Sequence, residues 1–490
     1  MEYLYSNILP IGELNADIEK IFSTLYGISN SNLQKSISKL KNYTKHLREN
    51  LFVFVEYPYV DKMYRDTYYH YFASKKDKYP RDAVRLSFFK EKISEADFRT
   101  TTKLKFLEDA YMGFLVLRPT FPDIIGRSII KPEAFINDKI LISSVKYGAT
   151  ANGIKLNVNG FPHSSQDRET ITCAETTIWS LMEYFGNKYA EYSLASPSKI
   201  TSVLGKFSFE RLLPSKGLTA GQISYALREL GFGVKIYSEK SYKEEFFHLL
   251  SSYVESGIPV IGILYNNQGI GHAVNIIGRT IPTAEQINSL PVSKKINDRL
   301  DIYDFADIPF QYVLSDDNHA PYRLALLTNP ASNYTDAKWE NCQIISFIAP
   351  LYHKIYSEAG EARRIALSFI EGWDQGGMIK NNSMLIKTFL TSSRSFKNEI
   401  ALNDSLQLDA KELLLNTSMP KFIWVTEITD KTLAIQDKVT GMIVLDATEP
   451  KRAGIIAALI ENKYIATDLL DLKLIELPLK PFTSYQNNLK

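Results

Sequence analysis

The chain has 490 residues, enough for two to four domains that each bury a hydrophobic core. Its hydrophobic fraction of 45% and charged fraction of 23% are ordinary for a globular protein, and its net charge of +2 argues against an extended nucleic-acid-binding surface. The sequence has no apolar run of the ~20 residues that span a bilayer, and its N-terminus lacks a signal-peptide core. We therefore expect neither nucleic acid nor membrane as a partner.

Cysteine is scarce, with Cys173 and Cys342 as the only two in the chain. Two cysteines do not make a disulfide framework. They could form a single bridge, but a reducing compartment is the simpler interpretation, so we expect a cytoplasmic protein.

The first 150 residues predict an accessory domain of helices and strands. Apolar residues at helical spacing indicate two helices over residues 13–49. The segments LFVFVEY (51–57) and YMGFLVLRP (111–119) are rich in aromatic and branched residues and indicate strands. We therefore expect a helical hairpin joined to a mixed α/β unit over 1–150.

Residues 151–345 predict a second domain in which helices precede antiparallel strands. Its predicted elements are helices over 173–186, 217–232 and 241–257, followed by strands over 259–265, 272–278 and 311–315. Helices followed by strands indicate an α+β fold and differ from the β-α-β alternation of doubly wound folds.

The remaining residues, 346–490, predict a C-terminal α/β accessory domain. A long helix is expected over 351–373, followed by a meander of three strands, KFIWVTEI (421–428), KTLAIQD (431–437) and GMIVLDA (441–447). The sequence leaves open whether the two termini share one sheet.

Cys173 stands where a helix is expected to begin. Thr172 and Glu175 have the T-x-x-E spacing of a capping box, which makes Cys173 the first helical residue, and Gly186 fits the end of the helix. A thiol at a helix N-terminus experiences the positive end of the helix dipole, which favours the thiolate. The competing interpretation is a small buried hydrophobic residue, which is what most free cysteines are.

A cysteine nucleophile needs a base, and His272 is the best candidate among seven histidines. It opens an apolar strand directly after Gly-Ile-Gly, where small residues leave room for a substrate backbone. Asp316 follows at the end of the strand over 311–315, where a carboxylate can orient the imidazole. Asp317 is a rival for that role, and both acids could instead simply begin a turn.

The motifs CAETTIWSLMEYFG, GLTAGQISYALRELGF and GHAVNIIG, with the later aspartate, resemble the papain-like cysteine peptidase superfamily. Within it they are most similar to the double-glycine leader peptidases, over roughly residues 160–325. The resemblance implies a papain-like fold with Cys173 as nucleophile, His272 as base and Asp316 as the orienting acid.

The same resemblance implies that Gln166 supplies an oxyanion donor, although it lies seven residues before the cysteine rather than the usual six. One residue must then be looped out before Thr172. The 44 residues from His272 to Asp316 are more than the family usually has, which predicts an insertion over about 281–308.

These expectations favour a cysteine hydrolase that cleaves a peptide or isopeptide bond in a protein or peptide substrate, with no cofactor or metal. The same triad could instead transfer the acyl group to an amine, as transglutaminase-like enzymes do. A third alternative is a papain-like domain that serves as a non-catalytic binding scaffold.

Overall fold

The computed structural model describes residues 4–76, 79–207, 213, 217–449, 454–467 and 472–490. The fold is α+β, built on sheets of five, seven and eight strands. Every pairing between the described strands is antiparallel except one, and that exception joins the predicted insertion to the C-terminal sheet. No described helix is long and apolar enough to cross a bilayer.

The N-terminal unit is a five-stranded antiparallel sheet in the order β1-β2-β3-β4-β5, with helices around it. Its elements are β1 Tyr5–Pro10, α1 Leu14–Tyr26, α2 Asn30–Thr44, β2 Phe52–Tyr59, α3 Lys62–His70, β3 Ala83–Phe89, α4 Leu104–Ala110, β4 Tyr111–Leu117 and β5 Ile125–Ile130. The two predicted N-terminal helices and both predicted strands are confirmed. Gly27 ends α1 at a φ of 55°, which suits glycine.

The middle of the chain forms a seven-stranded sheet in the order β15-β14-β11-β10-β16-β9, with β6 paired to β11. The elements up to α9 are β6 Ile140–Ile142, β7 Val145–Ala151, β8 Ile154–Gly160, α5 Cys173–Lys188, α6 Pro197–Gly205, α7 Ala220–Glu229, β9 Phe232–Ser238, α8 Glu239–Tyr242 and α9 Glu245–Glu255. Those that follow are β10 Val260–Tyr265, β11 Gly271–Thr280, α10 Ala284–Asn288, β12 Lys294–Ile296, β13 Leu300–Asp304, β14 Tyr312–Ser315, β15 Arg323–Ala325 and β16 Gln343–Tyr352.

The C-terminal unit contains the eight-stranded sheet, in the order β12-β13-β17-β18-β20-β21-β22-β23. Its further elements are α11 Ala359–Gln375, β17 Ser383–Ser392, α12 Ser393–Leu402, α13 Leu408–Asn416, β18 Phe422–Thr429, α14 Lys431–Ala434, β19 Lys438–Val439, β20 Gly441–Asp446, β21 Ile455–Ile460, β22 Lys463–Thr467, β23 Leu472–Glu476 and β24 Phe482–Thr483. The described termini do not share a sheet, because β1 lies in the five-stranded sheet while β24 pairs with β19.

The three units share elements at both predicted boundaries. The boundary at 150/151 falls in the β7–β8 hairpin, whose strand β8 packs on β4 and β5 of the N-terminal unit. The boundary at 345/346 falls inside β16, a strand of the middle sheet. Residues 281–308 contribute β12 and β13 to the C-terminal sheet, with β13 parallel to β17.

The helix expected over 351–373 begins later, at Ala359. Its first predicted residues belong to β16, which pairs with β10 on one side and β9 on the other. Phe347, Ala349 and Leu351 on this strand are buried, and this tertiary burial decides the conformation.

The prediction of a middle strand in the meander is wrong. Residues 431–437 contain the short helix α14 because Asp430 caps it, accepting a hydrogen bond from the Leu433 N–H at 2.8 Å. The strands on either side, β18 and β20, pair directly with each other.

Gly186 does not end α5, which continues to Lys188. Glycine suits close packing there, since an added Cβ would lie 2.9 Å from Leu194 Cδ2 and 3.1 Å from the Leu194 backbone nitrogen. A similar constraint applies at Gly278 on β11, where a Cβ would lie 2.0 Å from the Leu141 carbonyl oxygen. The absence of a side chain at Gly278 therefore lets β6 pair closely with β11.

Candidate active site

Cys173 is the first residue of α5, and the predicted capping box holds the start of this helix. The Glu175 carboxylate accepts hydrogen bonds from the Thr172 N–H at 3.1 Å and from its hydroxyl at 2.5 Å. Thr172 has extended backbone angles, so the chain turns sharply into the helix at the cysteine. The Cys173 side chain is half-buried at this helix N-terminus.

Helix α5 is fastened to strand β11 one turn after the cysteine. The Asn275 amide donates to the Thr177 carbonyl at 3.2 Å, and the Thr177 hydroxyl, which donates to the Cys173 carbonyl at 2.5 Å, lies 3.3 Å from the Ala273 carbonyl oxygen. Ala273 directly follows His272, so these contacts hold the start of the helix against the start of the strand. Cys173 and His272 are thereby brought together.

The His272 imidazole is buried and has several polar partners. Its Nε2 lies 2.9 Å from Asp316 Oδ1 and 3.2 Å from the Tyr334 hydroxyl oxygen, and the Cys173 side chain is a further partner of the imidazole. Burial alone would lower the pKa of His272, but the Asp316 charge, the hydrogen bonds with Asp316 and Cys173, and Asp317 together raise it well above its usual value. The imidazolium is the form that this environment stabilises.

Asp316 is the better placed of the two candidate acids. Its Oδ1 accepts from His272 and from the Asn318 N–H at 3.0 Å, while its Oδ2 accepts from the Tyr334 hydroxyl at 2.7 Å. Burial opposes ionisation of Asp316, yet His272 and these hydrogen bonds hold its pKa below its usual range. Asp316 is therefore a buried carboxylate, satisfied by three donors.

Asp317 has a different environment. Its nearest oxygen is 3.7 Å from His272 Nε2, and both of its carboxylate oxygens are buried without a hydrogen-bond partner. Burial raises the pKa of Asp317, His272 opposes that shift, and the neighbouring acids Asp316 and Glu175 add to it. The geometry favours Asp316 as the residue that orients the imidazole.

An aromatic pair that the sequence analysis missed covers the imidazole. Tyr334 and Trp339 stack with ring centroids 3.6 Å apart, and Trp339 meets the His272 ring edge-to-face at 5.3 Å. Asn266 holds the loop that carries Trp339, since its amide donates to the Lys338 carbonyl at 2.7 Å. The only local signal was the presence of two large aromatics in a polar loop, which by itself indicates no role.

Gln166 lies beside this cluster. Its Nε2 donates to Asn318 Oδ1 at 2.7 Å, and the Asn318 amide in turn donates to the Tyr334 hydroxyl at 3.1 Å. Asn318 is also the residue whose backbone N–H bonds Asp316. Gln166 is therefore linked to the His272–Asp316 pair by a short hydrogen-bonded path.

The segment between Gln166 and Cys173 is a tight turn organised by Asp167. The Asp167 carboxylate accepts from the backbone N–H groups of Glu169, Thr170 and Ile171 at 2.7–3.0 Å. Arg168 in this turn has a φ of 62° and an exposed side chain whose Nε lies 3.7 Å from Asp123 Oδ1. The looped-out residue between Asp167 and Thr172 stays a prediction.

His163, the histidine nearest to Cys173 in sequence, contacts the backbone of Asp316. It is buried, and its Nε2 lies 3.1 Å from the Asp316 carbonyl oxygen. Burial lowers the pKa of His163 to about 4, so the ring is neutral near pH 7. A neutral Nε2–H donates to the Asp316 backbone, which positions that residue.

The side chains of His272, Asp316 and Asp317 place one donor atom each within 4.8 Å of one another, a spacing compact enough for a metal ion. However, His272 Nε2 and Asp316 Oδ1 already bond each other, and Asp316 has three hydrogen-bond donors. These three side chains are therefore better suited to transferring a proton than to binding a metal ion.

Comparisons with known proteins give no assignment: no family model matches the chain, and no curated protein matches it.

The different roles of the two acids predict different effects on His272. In Asp316→Asn, the His272 pKa should fall by at least ~1 unit, because an opposite charge within ~4–6 Å accounts for 1–3 units. In Asp317→Asn the fall should be smaller, because burial already favours the uncharged acid. Nuclear magnetic resonance titration of isotope-labelled histidines measures both, and an equal fall in the two variants would contradict this assignment.

Proposed function

We propose that this protein is a cysteine hydrolase that cleaves a peptide or isopeptide bond through Cys173, His272 and Asp316. The observation that carries the proposal is the buried His272 imidazole, whose Nε2 lies 2.9 Å from Asp316 Oδ1 and whose pKa is raised by Asp316 and by the Cys173 side chain. Cysteine catalysis requires a nucleophile, a base and a group that orients the base, and these three residues supply them.

In the proposed first step, the Cys173 sulfur attacks the scissile carbonyl carbon while its proton resides on His272. The C–N bond then breaks, and the imidazolium gives that proton to the leaving amine. This leaves the acyl group on Cys173 as a thioester. His272 next removes a proton from water, the hydroxide attacks the thioester, and the acid product departs with the thiol restored.

Two donors are needed for the oxyanion that forms in both steps. The backbone N–H of Cys173 at the start of α5 is one. We assign the other to the Gln166 amide, whose position is held by Asn318 and by the Asp167 turn. One of its two N–H bonds is directed to Asn318, which leaves the second for substrate.

The arrangement also supports a papain-like core as a proposal. A helix that begins with the cysteine packs on an antiparallel sheet, in which one strand begins near the histidine and its neighbour β14 ends just before the aspartate. The order cysteine, histidine, aspartate along the chain is the one on which the resemblance rests. A cytosolic location is part of the proposal and accords with the two unpaired cysteines.

The proposal predicts cleavage of a peptide library by the wild-type protein and none by Cys173→Ala. Cleavage products are read by mass spectrometry, with and without an added primary amine. Free acid products in both conditions identify a hydrolase, whereas amide products in the presence of amine identify acyl transfer. If neither product forms while Cys173 is fully reduced, the hydrolase proposal fails and a binding scaffold is favoured.

Gln166→Ala should lower turnover by ~10²-fold or more, the usual cost of removing one oxyanion donor. Alkylation of Cys173 by iodoacetamide should be unchanged, because that reaction forms no oxyanion. Gln34→Ala, at an exposed position on α2, is the matched control and should turn over like the wild type. Unchanged turnover in Gln166→Ala would leave the second donor unassigned.

A further inference from the structure

A cavity of about 580 Å³ lies where the end of β11 meets the sheet strands β17 and β18 and the C-terminal segment 484–490. Its volume is within the range of small-molecule sites, which is roughly 300–1,000 Å³. Apolar side chains of Phe305, Leu385 and Val439 form part of its wall, and charged side chains form another part. Arg279 at its edge is seven residues after His272 on β11, which corresponds to ~24 Å of strand, so the cavity is separate from the candidate active site.

Most of the buried charge in this cavity is internally paired. Arg279 binds the Glu255 carboxylate with two nitrogens, one at 3.0 Å, and Lys387 Nζ lies 3.4 Å from the same carboxylate. The Arg279 guanidinium also lies over the Phe310 ring, and the Lys387 ammonium lies 5.0 Å from the Phe305 ring centroid. These three charged groups have their partners within the protein.

Glu427 is the exception. It stands opposite Lys387 in the β17–β18 register and is 2% exposed. One of its oxygens accepts from the Tyr485 N–H at 2.6 Å, but the other, Oε2, is buried with no hydrogen-bond partner. A buried carboxylate oxygen without a donor is costly. A ligand that supplies a donor removes that cost.

We propose that this cavity binds a small organic cation through a primary ammonium group bonded to Glu427 Oε2, with its alkyl chain against Phe305, Leu385 and Val439. An ammonium gives a carboxylate a charge-assisted hydrogen bond, which is stronger than a bond from a neutral donor, and the apolar wall accepts methylene groups. The group that the cavity would recognise is an alkylammonium. Both a free primary amine and a lysine side chain can supply this group.

Calorimetric titration of the full chain with four probes tests this proposal. Pentylamine is the primary probe, acetyl-lysine amide represents a lysine side chain, and pentanol and pentanoate are the neutral and anionic controls of matched length. Pentylamine should bind at least ~10-fold more tightly than pentanol, because it adds a charged hydrogen bond to Glu427. Comparable binding of acetyl-lysine amide indicates a lysine side chain as the natural ligand, and its failure to bind indicates a free amine.

Glu427→Gln should weaken pentylamine binding by at least ~10-fold while keeping the protein folded. Burial, opposed by Lys387, raises the pKa of Glu427 to about 7. The folded state therefore loses stability as the pH rises from the usual glutamate range towards and through 7, and the uncharged glutamine avoids this loss. The other charged residues that line the cavity are Glu255, Arg279, Glu399, Asp437, Lys438 and Lys490.

The melting temperature of Glu427→Gln at about pH 8 should thus exceed that of the wild type, even as amine binding falls. If Glu427 had only a structural role, Glu427→Gln would not both raise the melting temperature and weaken amine binding. Glu412→Gln, an equal charge change at an exposed position on α13, is the control and should leave both quantities unchanged. Pentylamine binding no tighter than pentanol binding, or equal pentylamine affinity in Glu427→Gln and the wild type, would overturn the proposal.

Discussion

The site depends on the buried hydrogen bond between His272 and Asp316. Removing two charges from water is expensive, and their mutual attraction offsets this cost only when the remaining polar atoms are also satisfied. Here the Asn318 N–H and the Tyr334 hydroxyl donate to the remaining positions of the carboxylate, and Cys173 is a further partner of the imidazole. The fold must therefore hold the start of β11 against the end of β14, because separation of His272 from Asp316 would leave a buried charge unpaired.

The N-terminal unit contributes to that arrangement although it supplies none of the proposed catalytic residues. Ser128 on β5 pairs with His163 through two backbone hydrogen bonds of 2.7 and 3.0 Å, and His163 holds the Asp316 carbonyl. Arg118, just after β4, donates to the Ser165 carbonyl at 2.6 Å, next to Gln166. The five-stranded sheet thus helps to position both Asp316 and Gln166, the proposed oxyanion donor. This is a physical role for the N-terminal unit at the site.

Local sequence signals were sufficient to predict the elements that carry the proposed catalytic residues. The T-x-x-E box placed Cys173 at a helix start, and the glycine-rich turn before His272 predicted the β10–β11 hairpin that the structure contains. Each of these patterns lies within a few residues, so no tertiary contact was needed to interpret it. The juxtaposition of Cys173, His272 and Asp316 was an inference from their order and from the resemblance, and the geometry places them together.

What the sequence could not provide was set by contacts between distant segments. Trp339 packs against His272 in a loop that Asn266, just after β10, holds through the Lys338 carbonyl. The start of α11 was predicted too early, at residue 351, because the end of β16 takes its strand conformation from pairing with β9. The unpaired oxygen of Glu427 is likewise visible only when two strands and the C-terminal segment are assembled.

The most direct test of the central claim is the pH dependence of iodoacetamide alkylation at Cys173, followed by peptide mass spectrometry in the wild type and in His272→Ala. Cys342 is an internal reference, because burial raises the pKa of its thiol. We expect Cys173 to be alkylated faster than Cys342 in the wild type, because His272 can take the thiol proton, and we expect this reactivity to be lost in His272→Ala. If Cys173 behaves as a free thiol in the wild type, or reacts equally in both proteins, the pairing of cysteine and histidine is contradicted.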